Sequence, residues 1–475
     1  MPTPAIRAAI LIWTMVASAC TGEIAALGQA GFGGSQLPPG AVPLAIAQEV
    51  AVGEGGTLQL TLTGQAPPGE ALTFSLVERP RHGTLEVSSL PRVTYAAERG
   101  YVGDDTFRFT VRTASGESTA ATVLIHIGQG GAGWWDNAFA YRRRLRFQAD
   151  DLAETLEEFP VLLRLEAPRF DAAKALAGGA DVRFVDDAGN VLKHEIEAWI
   201  PGGASTLWVK LPVLPSGGSE LWMYYGNPGA SPPLPADARQ VWSNGFAGVW
   251  HLAGSAQDSS PQQFDAESTQ GTFPAGVHGP GMRFNRTNGD FFRLKNNLRV
   301  VSGASSVTFS AWVKPDGAIT EKQANIVGVG KSTAGGHASW VSFYLLADGG
   351  FGSEAGPDDA GYHVGSTPAG TVPVGSWTHL AAMIDVAGKS MRLFKNGARV
   401  GAPQTFDWER AAIPNLPSYA TAFGTEEDEC CYFYNGFLDE LRLERVGRSD
   451  AWLGAQYRNL SDPEFTSLGA EEARP

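Results

Sequence analysis

The chain has 475 residues, of which 18% are charged, with 58 Gly, 30 Pro and a formal net charge of −14. This length holds roughly two to four domains, and many turns with few charges point to an all-β protein rather than a helical one. The acidic balance excludes nucleic acid as a partner, because phosphate binding needs a basic face; it fits an extracellular surface and cation sites without establishing either.

The N-terminus reads as an address. Arg7 precedes an apolar run from Ala8 to Ala19, too short to cross a bilayer comfortably but suited to a secretory signal with small residues at its end. Val16-Ala17-Ser18-Ala19-Cys20 resembles a bacterial lipoprotein box, which implies lipidation of Cys20; Ala17 stands where that box usually has Leu. Cleavage at the Ala-x-Ala site is the alternative. Residues 1–19 are thus expected to be a signal peptide and 20–41, rich in Gly, Ala and Pro, a flexible tether. No second long apolar run follows, so any membrane contact is expected through the lipid. The remaining cysteines, Cys430 and Cys431, are neighbours. Two thiols on opposite faces of one strand are expected, with a strained vicinal disulfide or a metal pair as alternatives.

Residues 42–127 alternate apolar and polar positions, as in Thr57-Leu58-Gln59-Leu60-Thr61-Leu62 and Thr106-Phe107-Arg108-Phe109-Thr110-Val111. Such strands at this spacing predict a small sandwich. The segments Pro80–Leu85 and Tyr101–Val111 resemble cadherin-like or bacterial Ig-like repeats. Asp104 and Asp105 are candidates for Ca²⁺ between repeats, but only one repeat is seen, so a turn role is expected. Gly128 to Gly133 reads as a hinge.

Residues 134–230 carry further strands: Tyr141–Phe147, Phe159–Leu165, Ala180–Asp186, Leu192–Trp199, Leu207–Pro212 and Leu221–Asn227. The opening Trp and Tyr-Arg, the Asp-Val-Arg-Phe and Glu-x-x-Trp strands and the terminal Tyr-Tyr-Gly-Asn resemble the bacterial domain DUF2341. That resemblance implies an architecture and no reaction. The alternating Arg and aromatic residues are read as solvated strand faces, with a ligand face as the alternative.

Residues 235–470 contain Trp250-His251-Leu252, Asp258-Ser259-Ser260, Phe309-Ser310-Ala311-Trp312-Val313, Trp377-Thr378-His379-Leu380, Asn396-Gly397 and Gly436-Phe437-Leu438-Asp439-Glu440-Leu441-Arg442. Asn-Gly is a strong hairpin signal, because both residues accept positive φ. The series resembles the laminin-G-like jelly roll of the concanavalin A superfamily. The fold class expected is therefore all-β: an Ig-like sandwich, a second sandwich-like unit and a C-terminal jelly roll.

Glycoside hydrolases share that superfamily. Their chemistry needs two carboxylates about 5–5.5 Å apart, which on a strand means i and i+2 on one face. Strict alternation places Asp439 with Leu441 and Leu443, and Glu440 with Arg442 and Glu444, an ion-paired outer face; catalysis is not expected. The acidic run Glu426-Glu427-Asp428-Glu429 is read as a solvated loop. The laminin-G-like resemblance implies a structural Ca²⁺ with Asp258 and Asp439 as best candidates and Glu440 as a weaker one; an Asx turn at Asp258 and a strand-end role for Asp439 are the alternatives. His82, His194, His251 and His379 are read as core or edge histidines. Trp340, Tyr362 and Trp408 are candidates for stacking on sugar rings, against the plainer reading as core aromatics.

The function expected is non-catalytic binding of a polysaccharide or a surface protein, in the cell envelope or secreted. The alternatives are an envelope scaffold, which the DUF2341 resemblance places beside proton-channel-driven biopolymer transport, and a glycan hydrolase.

Overall fold

The computed structural model describes residue 37 and residues 40–474, apart from 54, 129–133, 234, 295–299, 334–335, 359–360, 414–419, 427–428 and 430. The expected signal peptide, Cys20 and most of the expected tether and hinge lie outside the described residues. The described chain is nearly all β, with two short α-helices, Pro235–Arg239 and Asp450–Ser461. No helix among the described residues is long and apolar enough to cross a membrane. The chain divides into two compact units, 1–136 and 137–475.

The first unit is a sandwich. One sheet orders the strands Gln48–Gly53, Ala121–Gly128, Gly103–Thr113 and Thr73–Glu78; another orders Thr57–Thr61, Arg92–Ala97 and Gly83–Ser89. The alternation works as read, since Leu58 and Leu60 are buried between exposed Thr57, Gln59 and Thr61. Their core includes Tyr95, Phe107, Phe109, Val123 and Ile125. Asp105 lies inside the strand Gly103–Thr113 rather than in the expected turn, and it ties that strand to the segment before Gly83–Ser89. Its carboxylate accepts from the backbone amides of Arg81 at 2.9 Å, His82 at 2.8 Å and Thr106 at 2.9 Å, and from the Tyr95 hydroxyl at 2.8 Å.

The second unit joins two sandwiches. In the first, one sheet orders Arg183–Val185, Ser219–Tyr225, Tyr141–Phe147 and Thr466–Ala473, and the other orders Leu156–Leu165, Ser205–Leu214 and His194–Ala198. The fourth strand of that first sheet comes from the far end of the chain. The jelly roll supplies the rest. Its first sheet runs Phe246–Trp250, Gly436–Glu444, Ser306–Pro315, Thr378–Asp385, Ser390–Lys395 and Ala398–Arg399. Its second runs Ala266–Thr269, Phe292–Leu294, Ala420–Phe423, Gln323–Thr333, Gly336–Leu346, Phe351–Asp358 and Gly361–Ser366. The hairpin at Asn396-Gly397 forms with φ of 49° and 74°.

Both faces of the first jelly-roll sheet are buried. Val307, Phe309, Ala311, Leu380, Ala382 and Ile384 enter the jelly-roll core. From the same strands Trp312, Ala381 and Met383 enter a second cluster, together with Leu163, Trp208 and Val209 of the preceding sandwich. The helix Asp450–Ser461, for which the sequence reading made no provision, seals this junction. Ser449 caps it by accepting from the Trp452 amide at 3.0 Å, the favoured use of Ser before a helix. Trp452, Leu453 and Leu460 enter the shared cluster. Gln456 donates to Ser310 Oγ at 2.7 Å, while Asn459 accepts from the Leu162 amide at 2.9 Å. The division expected between 134–230 and 235–470 is thus a division in sequence and not in the core.

The strict alternation expected from Asp439 to Glu444 is broken. Ser310 pairs with Arg442 but Trp312 pairs with Asp439, so two residues of one strand face one of the other. This is a β-bulge, which re-aims side chains locally. Glu440 sits in it with φ of 49°, and Leu438, Leu441 and Leu443 all reach the jelly-roll core. Asp439 therefore does not share a face with Leu441 and Leu443. Cys431 is disulfide-bonded and not the free thiol expected on a strand face.

Candidate functional site

The second jelly-roll sheet presents a polar face. Val341, Phe343 and Leu345 point into the core, so the intervening Ser342 and Tyr344 point away from it. Register adds their neighbours: Ser342 lies opposite Gly328 and Glu354, and Tyr344 opposite Asn325 and Gly352. Small residues leave room there; a Cβ on Gly352 would lie 2.8 Å from the Tyr344 ring. Asn325 and Ser342 are fully buried, and among the described residues neither Asn325 Nδ2 nor Ser342 Oγ has a hydrogen-bond partner. Such groups cost about 1–3 kcal/mol each when left unmade, so they mark where a polar ligand has most to offer.

The opposite jelly-roll sheet meets its companion sandwich through a buried charged cluster. The strand His194–Ala198 projects Glu195 and Glu197 on one face. Across the junction stand His251, just after the strand Phe246–Trp250, and Glu440 and Arg442 on the strand Gly436–Glu444. His251 Nδ1 is 2.8 Å from Glu440 Oε1 and 3.7 Å from Glu197 Oε2. Glu440 Oε2 accepts from the Arg442 guanidinium at 3.0 Å. Trp208 Nε1 donates to Glu197 at 2.8 Å and Trp242 Nε1 to Glu195 at 2.6 Å. The two indoles also wall the site: His251 stacks on Trp208 at 5.4 Å, and Arg442 lies 4.8 Å from the Trp208 ring centre and 5.1 Å from that of Trp242.

Burial and mutual charge tune these groups. Burial pushes the Glu197 carboxyl up to about 7, against the pull of His251 and with help from Glu440 and Glu195. Burial also opposes charge on His251, but Glu440, Glu197 and Glu195 outweigh it and hold the imidazole well above its ordinary value. Burial acts upward on Glu440 too, yet His251 and Arg442 draw it down to about 2.

The residues singled out from sequence fall in different places. Asp258 is buried and its carboxylate is fully engaged: it accepts from the amides of Val249, Ser260 and Phe264 at 2.8, 2.8 and 2.7 Å and from the Ser260 hydroxyl at 2.8 Å. That is the Asx-turn alternative. Asp439 accepts from the amides of Val277 at 2.6 Å, His278 at 3.4 Å and its own neighbour Glu440 at 2.9 Å. Glu440 belongs to the charged cluster, so the expected Ca²⁺ trio is not one constellation. Trp408 is a core residue, 1% exposed, donating to Val386 O at 2.7 Å and stacked on Phe406 at 5.0 Å; it has no face to offer a sugar. Trp340 and Tyr362 lie on strands of the second sheet, with side chains outside the described residues.

Glu195, Glu197 and His251 were not identified as a site from sequence. The signal was present, because Glu195-x-Glu197 places two carboxylates on one strand face. It went unread because their partners lie in the other module.

Residues 286–453 match the family described as the concanavalin A-like lectin/glucanases superfamily, residues 41–126 match the bacterial Ig domain, and residues 178–247 match DUF2341, a domain of unknown function. No curated protein matches the chain. Among solved structures, domain 4 of AbnA, an extracellular GH43 arabinanase from Geobacillus stearothermophilus in complex with arabinotriose, is 18% identical over 44% of this chain and 96% of that one, with a TM-score of 0.35. The Ruminococcus gnavus IT-sialidase CBM40 bound to α2,3-sialyllactose is 19% identical over 40% of this chain and 96% of that one, at 0.30. The binding domain of Paraclostridial Mosquitocidal Protein 1 is 14% identical over 45% of this chain and 51% of that one, at 0.36. At these identities and scores, none says what this chain binds.

Proposed function

We propose that this chain, in which a bacterial Ig domain precedes DUF2341 and concanavalin A-like modules, is a non-catalytic binding protein of the cell envelope that holds a carbohydrate on its jelly roll. The export signal read in residues 1–19 supports a place outside the cytoplasm, with Cys20 as the proposed lipid anchor. The observation that carries the binding reading is the second-sheet face of Asn325, Ser342, Tyr344 and Glu354, where two buried polar groups lack partners among the described residues. Hydroxyl-rich ligands satisfy such groups, and a Tyr ring beside them offers an apolar surface. The other jelly-roll sheet is covered by the companion sandwich. The non-catalytic reading is supported by Asp439 and Glu440, whose carboxylates are bound to backbone amides and to His251 and Arg442.

The test is retention of the full chain on a panel of immobilised polysaccharides, with calcium and then with EDTA. Ser342→Ala is expected to weaken retention without loss of stability, since it removes an unpaired buried hydroxyl; Asn325→Ala is expected to weaken retention and also to cost stability, since it removes the bond that Asn325 Oδ1 accepts from Gln323 at 3.0 Å. Retention indifferent to EDTA removes calcium from the mechanism. No retention by a folded chain overturns the reading in favour of an envelope scaffold with a protein partner.

A further inference from the structure

The charged cluster at the junction of the two sandwiches is out of balance as it stands. Glu195, Glu197 and Glu440 share the space with Arg442 and His251. With the three carboxylates ionised, one negative charge has no counter-charge even when the imidazole is protonated, and two have none when its nitrogen is free to bind a metal; buried charges are costly unless compensated. His251 is 5% exposed, and its Nε2 makes no close hydrogen bond among the described residues, with Glu195 Oε2 standing 3.5 Å away. Glu440 is held in the left-handed region at φ of 49°, a conformation that a non-Gly residue keeps only where its surroundings impose it. The surplus of buried negative charge fits a missing cation between the modules.

We propose that Glu197, His251 and Glu440 hold one divalent first-row transition-metal ion, which braces the two sandwiches of the second unit. One ligand atom from each lies within 4.8 Å of the others. Tetrahedral ligands at about 2.1 Å from a metal stand roughly 3.4 Å apart, so small side-chain shifts close the shell. An imidazole nitrogen among carboxylates suits Zn²⁺, Mn²⁺ or Co²⁺ and not Ca²⁺, which takes six to eight oxygens. His251 Nδ1 faces Glu440 and Glu197 and is the ligand atom. Its Nε2–H then donates to Glu195, the carboxylate–histidine arrangement that fixes tautomer and ring orientation at metal sites. Arg442 on Glu440 and Trp208 on Glu197 orient the other two ligands from behind. A dication cancels the two uncompensated charges. This site is separate from the second-sheet face, so its failure leaves the carbohydrate reading untouched.

The test uses the full chain, stripped with EDTA, exposed to Zn²⁺, desalted, and assayed for metal by mass spectrometry and for unfolding by calorimetry. One Zn²⁺ per chain and a higher thermal midpoint for the second unit are expected; Ca²⁺ and Mg²⁺ should give neither. Glu197→Gln and His251→Asn should lose both the ion and the shift. If those variants do not fold, X-ray absorption on the Zn²⁺-loaded native chain decides, and one imidazole nitrogen in an otherwise oxygen shell is expected. The proposal is overturned if the folded native chain retains no Zn²⁺, Mn²⁺ or Co²⁺, if both folded variants retain the metal as well as the native chain, or if the shell contains several nitrogens. The cluster is then an ion network held by protons alone.

Discussion

His251 Nδ1 and Glu440 Oε1 stand 2.8 Å apart across 189 positions of sequence, one just past the first strand of the jelly roll and the other in its C-terminal bulge. Around this contact the jelly roll and its neighbour bury Arg442 beside Glu440, each side chain 1% exposed. Removing one partner of such a pair leaves the other charge unpaired. Arg442→Leu should therefore destabilise the second unit by about 3–5 kcal/mol. Adding Glu440→Gln should recover part of that loss. Urea unfolding of the single and double variants measures the coupling; equal losses in both would deny that the pair acts as a pair.

The helix Asp450–Ser461 makes a second prediction. Trp452 is 5% exposed and packs edge-on to Phe159 at 4.8 Å, with Arg448 3.7 Å from its ring centre. Trp452→Ala should cost about 3–5 kcal/mol. In calorimetry the loss should appear in the transition of the second unit and leave that of the first unit in place, because the first unit has its own core.

A third prediction concerns the return of the chain to the DUF2341 sandwich. The strand Thr466–Ala473 pairs with Tyr141–Phe147 along its length. Glu472 accepts from Arg142 at 2.9 Å, and Glu471 accepts from the Tyr225 hydroxyl at 2.7 Å. A fragment of residues 134–230 lacks that strand, the helix and the jelly-roll sheet that covers its core. It should show no cooperative unfolding and should bind hydrophobic dyes. A sharp two-state transition for this fragment would refute the shared-core account.

The first unit offers a pH signature. His126 Nδ1 is 2.7 Å from Asp104 Oδ1 and its Nε2 is 2.8 Å from Glu49 Oε1. Burial works against its charge, but the two carboxylates outweigh it and raise its pKa above the ordinary 6.5. A raised pKa in the folded state means stabilisation fully present below the unfolded value and lost as pH climbs through the folded one. The thermal midpoint of the first unit should therefore fall as pH rises from about 6 through neutrality. His126→Asn should flatten that slope, as read by circular dichroism across the range. An unchanged slope would assign it to other groups.

The sequence by itself determined the fold class, the three modules and the Asn396-Gly397 hairpin. These are written in local signals: period-two alternation, turn residues that accept positive φ, and motifs each contained in one stretch of chain. It also carried the ion-paired character of Glu440 and Arg442, because their spacing on a strand is local. Tertiary structure alone decided that these charges are buried rather than solvated, since a strand face shows polarity without showing what covers it. It alone decided that Trp408 is core and that Asp258 closes a turn. The bulge at Glu440 escaped the alternation rule because one inserted residue reverses every face downstream, and only pairing with Ser310 and Trp312 reveals it. Above all, Glu195 and Glu197 meet His251 and Glu440 only when two modules share a core. That encounter depends on burial of apolar surface on both sides of one sheet, a property of the assembled chain and of no single segment of it.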